Sequence, residues 1–217
     1  MPRLLVAALL TASVFLPARP EANTQLGARP THEWIEMLEA PDRVASLRID
    51  YLIASLALAP GQIVADIGAG PGVISLPMAR AVAPGGKVYA VEVNEEFLEH
   101  IREKARVEHV TNVVPILGEF TDPKLPARDI DVALFHDVLH HIQDRPGYLK
   151  TMASYLKQDG RMAVVDMPGT GPHREHKELV ITPEQVDKWM VAAGFERAQR
   201  FDGLPDSRWF IVYRRKA

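Results

Sequence analysis

The chain has 217 residues, enough for one substantial domain with its own core, and its net charge of −3 gives it no general attraction to nucleic acid or an anionic membrane surface. Apolar residues make up 47% and charged residues 24%, ordinary values for a globular protein. Cysteine is absent, which excludes disulfides, thiolate metal sites, cysteine nucleophiles and a lipidated cysteine.

The amino terminus, MPRLLVAALLTASVFLPARPEA, carries Arg3 and then a mostly apolar run from Leu4 to Leu16. Residues 1–28 read as a signal peptide or hydrophobic N-terminal extension, too short to span a bilayer comfortably. The expectation is an exported protein, periplasmic or secreted, with no stable membrane span after signal removal. A cytoplasmic protein with a misassigned start is the alternative. Residues 29–217 form a single domain, with no internal repeat, low-complexity tract or dividing linker.

THEWIEMLEAPDR predicts a short helix and a Pro-Asp turn, and VASLRIDYLIASLAL predicts one helix ending at Pro60-Gly61. QIVADI is a strand, and VISLPMARAV a helix despite Pro77, stopped by Pro84-Gly85-Gly86. KVYAVEV is the second strand. NEEFLEHIREKAR is a helix with Asn94 as cap, Glu95 and Glu96 suiting the helix dipole, and Phe97, Leu98, Ile101 and Ala105 on one face. NVVPIL and DIDVALF are strands three and four. Helical pattern resumes through LHHI and PGYLKTMASYLK, and GRMAVVDM is strand five. TPEQVDKWMVAAGF has Thr182 as N-cap, Pro183 at the first helical position, Gln185 completing a capping box and Gly194 closing the helix. ERAQRF and RWFIVYR end the chain as a hairpin-like pair. Strands alternating with helices predict an α/β fold with a doubly wound, mostly parallel sheet, which binds ligands beyond the carboxyl ends of its strands.

Gly68, Gly70 and Gly72 fall in that position after strand one, where glycine lets the backbone turn tightly and approach a ligand. The helix that follows offers free N–H groups. The dinucleotide pattern G-x-G-x-x-G is broken at Val73, and no P-loop Gly-Lys-Ser/Thr follows. Asp66, ending the first strand, would repel a pyrophosphate but suits an ammonium or a water network. Glu92 ends the second strand 20 residues beyond Gly72, where a carboxylate can accept from both ribose hydroxyls. These residues predict a cofactor with a ribose and no pyrophosphate.

The segment from Asp66 to Asp166 resembles class I S-adenosylmethionine-dependent methyltransferases of the bacterial small-molecule kind. DIGAGPG is similar to that family's first motif, VYAVEV to its second, DVALFHDVLHHI to its fourth, and YLKQDGRMAVVD to its approach to strand five. LGEF stands where the family places an acid and an apolar residue against adenine. With the strand count, the resemblance implies a Rossmann-like seven-stranded sheet with an antiparallel last strand and helices on both faces. It implies S-adenosyl-L-methionine as cofactor, held at Asp66, Gly68, Ala69, Gly70 and Gly72, at Glu92 and Val93, and at Glu119, Phe120 and His136. Asp122 is the alternative to Glu119.

Methyl transfer from a sulfonium is mainly positioning, with a base only where the nucleophile arrives protonated. His136, Asp137 and His140 are the catalytic candidates after strand four, histidine because its ordinary pKa is near neutral. On a helix beginning near Asp137, His136 and His140 would share one side, and Asp137 and His141 would form an i, i+4 pair. His173 and His176 follow strand five as further candidates. A metal is not expected: Asp131 begins its strand, at the wrong end of the sheet, and where the resemblance to metal-dependent catechol-type relatives would imply an Asp-Asn pair after strand five, Asp166 is followed by Met167. Nothing after strand four resembles the Asn-Pro-Pro-Tyr of the family's amino-methylating nucleic-acid enzymes, and there is no basic stripe or cysteine, so the resemblance implies a small-molecule substrate rather than nucleic acid. The acceptor atom and the oligomeric state stay open. The competing readings are a non-catalytic S-adenosylmethionine- or nucleoside-binding protein on the same fold and a nicotinamide-dependent oxidoreductase. Val73 and the lack of a Tyr-x-x-x-Lys pair count against the last.

Overall fold

A computed structural model describes residues 29–167 and 179–216. The expected signal or extension, residues 1–28, lies outside the described residues, as do His173 and His176. Seven strands form one sheet: β1 (Ile63–Ile67), β2 (Lys87–Glu92), β3 (Val113–Leu117), β4 (Ile130–His136), β5 (Leu156–Asp166), β6 (Phe195–Phe201) and β7 (Trp209–Arg215). Their order is β3-β2-β1-β4-β5-β7-β6. The first five pair in parallel, and β7 runs antiparallel to both β5 and β6. The strand order therefore reverses between β1 and β4, which opens the crevice that doubly wound sheets use for ligands.

The central strands read as apolar runs because both of their faces are covered. Val64, Val88, Val132 and Ala163 pack on one side with α3 (Ile49–Leu56), α4 (Ser75–Ala81) and α5 (Glu95–Val107). Ala65, Tyr89, Ala133 and Val164, the neighbours one residue along, pack on the other with α6 (Arg145–Ala153) and α7 (Pro183–Ala192). Local signals agree with this placement. Asn94 caps α5 by accepting from the Glu96 amide, and Phe97, Leu98, Ile101 and Ala105 are its buried face. Thr182 and Gln185 close a capping box on α7, and Gly194 follows its end at φ 88°.

Two expectations are corrected. VASLRIDYLIASLAL is not one helix but α2 (Pro41–Ser46) and α3, parted at Arg48 with φ 49°. Burial sets this break, because Leu47 before it and Leu52 and Leu56 after it all reach the interior. Nor does a helix begin near Asp137. β4 runs through His136, Asp137 turns left-handed at φ 52°, and only a single 3-10 turn follows at Leu139–His141. The Asp137 amide donates to Val165 O at 2.9 Å, so the β4–β5 ladder holds the chain where a helix would have started.

Candidate active site

The loop after β1 is fastened to the end of β2. Gly68 N and Ala69 N both donate to Val91 O, at 2.9 and 3.0 Å. The Glu92 carboxylate accepts from Gly70 N at 3.0 Å and from Val93 N at 2.7 Å. Asp66, buried beside this loop, accepts from Ser75 Oγ at 2.6 Å. Burial pushes Asp66 up to about 6; the Ser75 bond opposes this and the charge of Glu92 adds to it. Burial also raises Glu92, against the backbone amides of Val93, Gly70 and Asn94. Two buried acids on adjacent strands create a negative field that suits a cationic or donor-rich ligand.

The three glycines divide the work. A Cβ on Gly68 would fall inside contact distance of Val138, and one on Gly72 would come within 2.9 Å of Ile101. Both therefore serve close packing. A Cβ on Gly70, at φ 52°, would meet only Leu38 at 3.6 Å, so that face of the loop is open.

At the end of β3, Gly118 N donates to Glu92 O at 2.9 Å, which seats the Glu119–Phe120 turn next to the end of β2. Glu119 is exposed and pairs with Lys124 at 3.2 Å, and Phe120 is 38% exposed. Asp122 accepts instead from Tyr155 OH at 2.9 Å.

Beyond the ends of β4 and β5, His140 Nδ1 lies 2.8 and 3.0 Å from the two oxygens of Asp166. Arg145 donates to Leu139 O and His140 O, at 3.2 and 2.6 Å, and clamps the 3-10 turn that carries the histidine. His136, on the strand, belongs to a different group. Its Nδ1 and Arg208 each stand 3.5 Å from Asp137 Oδ2. Burial drives the His136 imidazole down, against the pull of Asp137, and Arg208 and Arg43 push the same way as burial. Burial opposes the charge on Asp137, but Arg208 and Arg43, joined by His136 and His140 whenever those rings are protonated, hold the carboxyl below its ordinary range. Since His136 is itself kept neutral near pH 7, the arginines are the steady part of this positive field. Asp137 thus answers Arg208 rather than forming the helical pair with His141. His136 and His140 do not share a helix face. Among the described residues no three His, Asp or Glu converge as a metal site would need.

Sequence reasoning missed Ser75, Arg43, Arg145 and Arg208, and saw Asp166 as a strand end without its partner. Ser75 had a readable signal, a hydroxyl at the start of the helix after the glycine loop. Arg208 had none, since it lies in a loop without a motif.

Residues 58–200 match the family described as a methyltransferase domain, and the chain belongs to that family. It is 28% identical over 127 residues to nocamycin O-methyltransferase of Saccharothrix syringae, covering 58% of this chain and 44% of that one. It is 28% identical over 157 residues to the arsenite methyltransferase of Halobacterium salinarum, covering 67% and 40% respectively. The chain spans less than half the length of these curated relatives. Among solved structures, a SAM-dependent methyltransferase from Aquifex aeolicus superposes with a TM-score of 0.76 at 21% identity, over 85% of this chain and 98% of that one. Magnesium protoporphyrin IX methyltransferase from Synechocystis, solved with bound SAM, gives 0.71 at 18% identity, over 93% and 100%. These last two likenesses establish the fold: a seven-stranded, Rossmann-like sheet, mostly parallel, flanked by helices.

Proposed function

We propose that the chain binds S-adenosyl-L-methionine and transfers its methyl group to a small-molecule acceptor. The observation that carries this reading is the buried Glu92 carboxylate, which ends β2 and bonds the amide of Gly70 on the one open face of the glycine loop. A carboxylate so placed accepts from ribose hydroxyls, and with Asp66 it favours a ligand carrying positive charge. The residues present therefore fit the cofactor, with Glu92 and Val93 at the ribose, Asp66 and the loop from Gly68 to Gly72 beside the amino-acid end, Glu119 and Phe120 at adenine, and His136 at the strand mouth. When bound, the cofactor supplies a methyl group already activated on a sulfonium.

The rest is the work of this chain's side chains. Asp166 orients the His140 ring, Arg145 pins its turn, and the imidazole can take a proton from an acceptor hydroxyl or amine. Chemistry that needs a protein thiolate is closed, because the chain has no cysteine. A non-catalytic binder on the same fold is the rival.

Calorimetric titration of the full chain with S-adenosylhomocysteine and NAD tests the first step, and methyl transfer to a panel of phenols, amines, thiols and carboxylates tests the second. NAD binding without a response to S-adenosylhomocysteine overturns the reading. Tight cofactor binding with no transfer to any class assigns the chain to the binders.

We also propose that residues 1–28 direct export, on the strength of Arg3 and the apolar run from Leu4 to Leu16. Among the described residues no helix is long and apolar enough to cross a membrane. An intact mass beginning near Arg19 or Asn23 in a periplasmic fraction supports export, and a full-length mass in the cytosol refutes it.

A further inference from the structure

We propose that Arg208, facing Asp137 at the mouth of β4, forms with Arg43 of α2 a receptor for a ligand carboxylate. The proposal rests on the methyltransferase reading, and it concerns residues outside the glycine loop and the β2 acid.

Three separate segments meet here. Asp137, at the end of β4, stands 3.5 Å from Arg208 of the loop between β6 and β7, and Arg43 of α2 lies near enough for its charge to act on both. The Arg208 side chain is only 8% exposed, yet its contact with Asp137 is a long 3.5 Å. A pair built for stability alone would be bidentate and close. Instead Asp137 Oδ1 and Arg208 Nε are buried with no hydrogen-bond partner among the described residues, and so is His136 Nε2. Buried polar atoms left unpaired are costly, and in native proteins they point to a missing partner.

The backbone is held in an unfavourable shape to keep this arrangement. Asp137, Asp206 and Ser207 are all left-handed, with φ 52°, 58° and 56°, and none is glycine. A Cβ on Gly203, in the same loop, would collide with the Tyr51 ring, so the loop is packed down hard against α3. Such strain persists where the surroundings enforce it, and it clusters at ligand sites.

The charges are unbalanced in the direction an anion would correct. Arg43 and Arg208 both act on one carboxylate, and burial together with the like charge of Arg208 presses Arg43 below its ordinary range. His136 adds no charge at neutral pH. The remaining acids do not restore the balance. Asp206 meets Arg208 Nη1 at 3.0 Å but is solvent-exposed, and Asp166 is engaged by His140. A guanidinium fork matches a carboxylate in shape and charge. Arg43 also donates to Leu38 O at 2.8 Å, and the Leu38 side chain is the neighbour of the open face at Gly70. The receptor thus borders the loop assigned to the cofactor. Its carboxylate can come from the amino-acid end of the cofactor or from the acceptor.

Two titrations separate these sources and test the idea. S-adenosylhomocysteine carries the amino-acid carboxylate and ammonium, and 5′-methylthioadenosine is the thioether nucleoside without that amino-acid group; loss of an arginine weakens only the hold on the carboxylate. If the cofactor is the source, Arg208→Gln and Arg43→Gln each weaken S-adenosylhomocysteine at least tenfold and change 5′-methylthioadenosine less than twofold, while Arg208→Lys recovers part of the loss. If the acceptor is the source, both nucleosides bind the variants normally. In that case protein saturated with S-adenosylhomocysteine prefers 4-hydroxybenzoate over 4-hydroxybenzamide at least tenfold, and the glutamine variants lose that preference. The nucleoside lacking the carboxylate doubles as a check that each variant is folded. Equal loss for both nucleosides, or no loss together with no preference for acid over amide, overturns the receptor alone. Wild-type protein that binds neither nucleoside overturns the methyltransferase reading and the receptor with it.

Discussion

The Nδ1 atom of His140 faces both oxygens of Asp166, at 2.8 and 3.0 Å, and each side chain is 2% exposed. The two stand on neighbouring elements, one in the turn after β4 and the other at the last residue of β5. A carboxylate there only accepts, so Nδ1 carries the hydrogen and the ring lone pair lies on Nε2. That is the tautomer a general base needs. His140→Ala is expected to lower kcat about 10²-fold or more, the range for loss of a general base, with S-adenosylhomocysteine affinity within twofold. Asp166→Asn keeps the shape but permits the other tautomer, and it should lower kcat as well, by less than His140→Ala. Turnover within twofold of wild type in both variants would show that positioning alone suffices.

Glu92 is expected to dominate cofactor affinity. Its replacement by Ala removes the acceptor for ribose hydroxyls, at about 1.5–3 kcal/mol per charge-assisted bond, and also leaves Gly70 N without its partner. Calorimetry should record at least a tenfold weaker S-adenosylhomocysteine, since each 1.4 kcal/mol is about tenfold. Glu92→Gln, which can still accept from Gly70 N, should fall between Ala and wild type. A change below twofold for Ala would place the ribose elsewhere.

The glycines allow a sharper test, because alanine should hurt them in different ways. Gly68→Ala drives a methyl into Val138, and Gly72→Ala drives one against Ile101. Both should lower the thermal midpoint of the unliganded protein, as overpacking by a single carbon typically costs about 1–3 kcal/mol. Val138→Ala should rescue Gly68→Ala. Gly70→Ala meets no close neighbour, so it carries only the left-handed backbone penalty, about 1 kcal/mol, while placing a methyl on the open face. It should lose cofactor affinity out of proportion to its stability. Equal thermal losses at all three positions would contradict this division.

Much of the fold is legible because its signals are local. IVADI and VALF read as strands since both faces of the central sheet are covered, and Asn94, Thr182 and Gln185 mark helix starts through bonds to amides two or three residues away. Asp66 and Glu92 are legible for the same reason, as acids at strand ends beside a glycine loop. What the sequence hides depends on distant partners. The break at Arg48 follows from the burial of Leu47, Leu52 and Leu56, which no propensity reveals. Asp137 leaves the helical path because its amide bonds Val165, and it faces an arginine from the β6–β7 loop. Neither partner is near it in the chain.

The buried acid at Asp66 should make stability depend on pH in an unusual direction. Its carboxyl starts at 3.8 and is pushed up to about 6 by burial, with Glu92 adding and Ser75 opposing. Between about pH 4 and 6 the folded chain therefore holds a proton that the unfolded chain has released. Stability from this group is full below its unfolded pKa and is lost as pH rises through the folded one. At 1.36 kcal/mol per pH unit the span from 3.8 to about 6 corresponds to about 3 kcal/mol. Asp66→Asn keeps an acceptor for Ser75 and has nothing to ionise. Denaturant unfolding of the unliganded protein should find the variant as stable as wild type at pH 4 and more stable at pH 7, with the gap opening between them. Because a cationic ligand favours the charged acid, the stabilisation conferred by S-adenosylmethionine should grow from pH 5 to pH 7 in wild type and stay level in the variant. A gap already present in full at pH 4 would mean that Asp66 is ionised throughout and that its neighbours, rather than burial, set its charge.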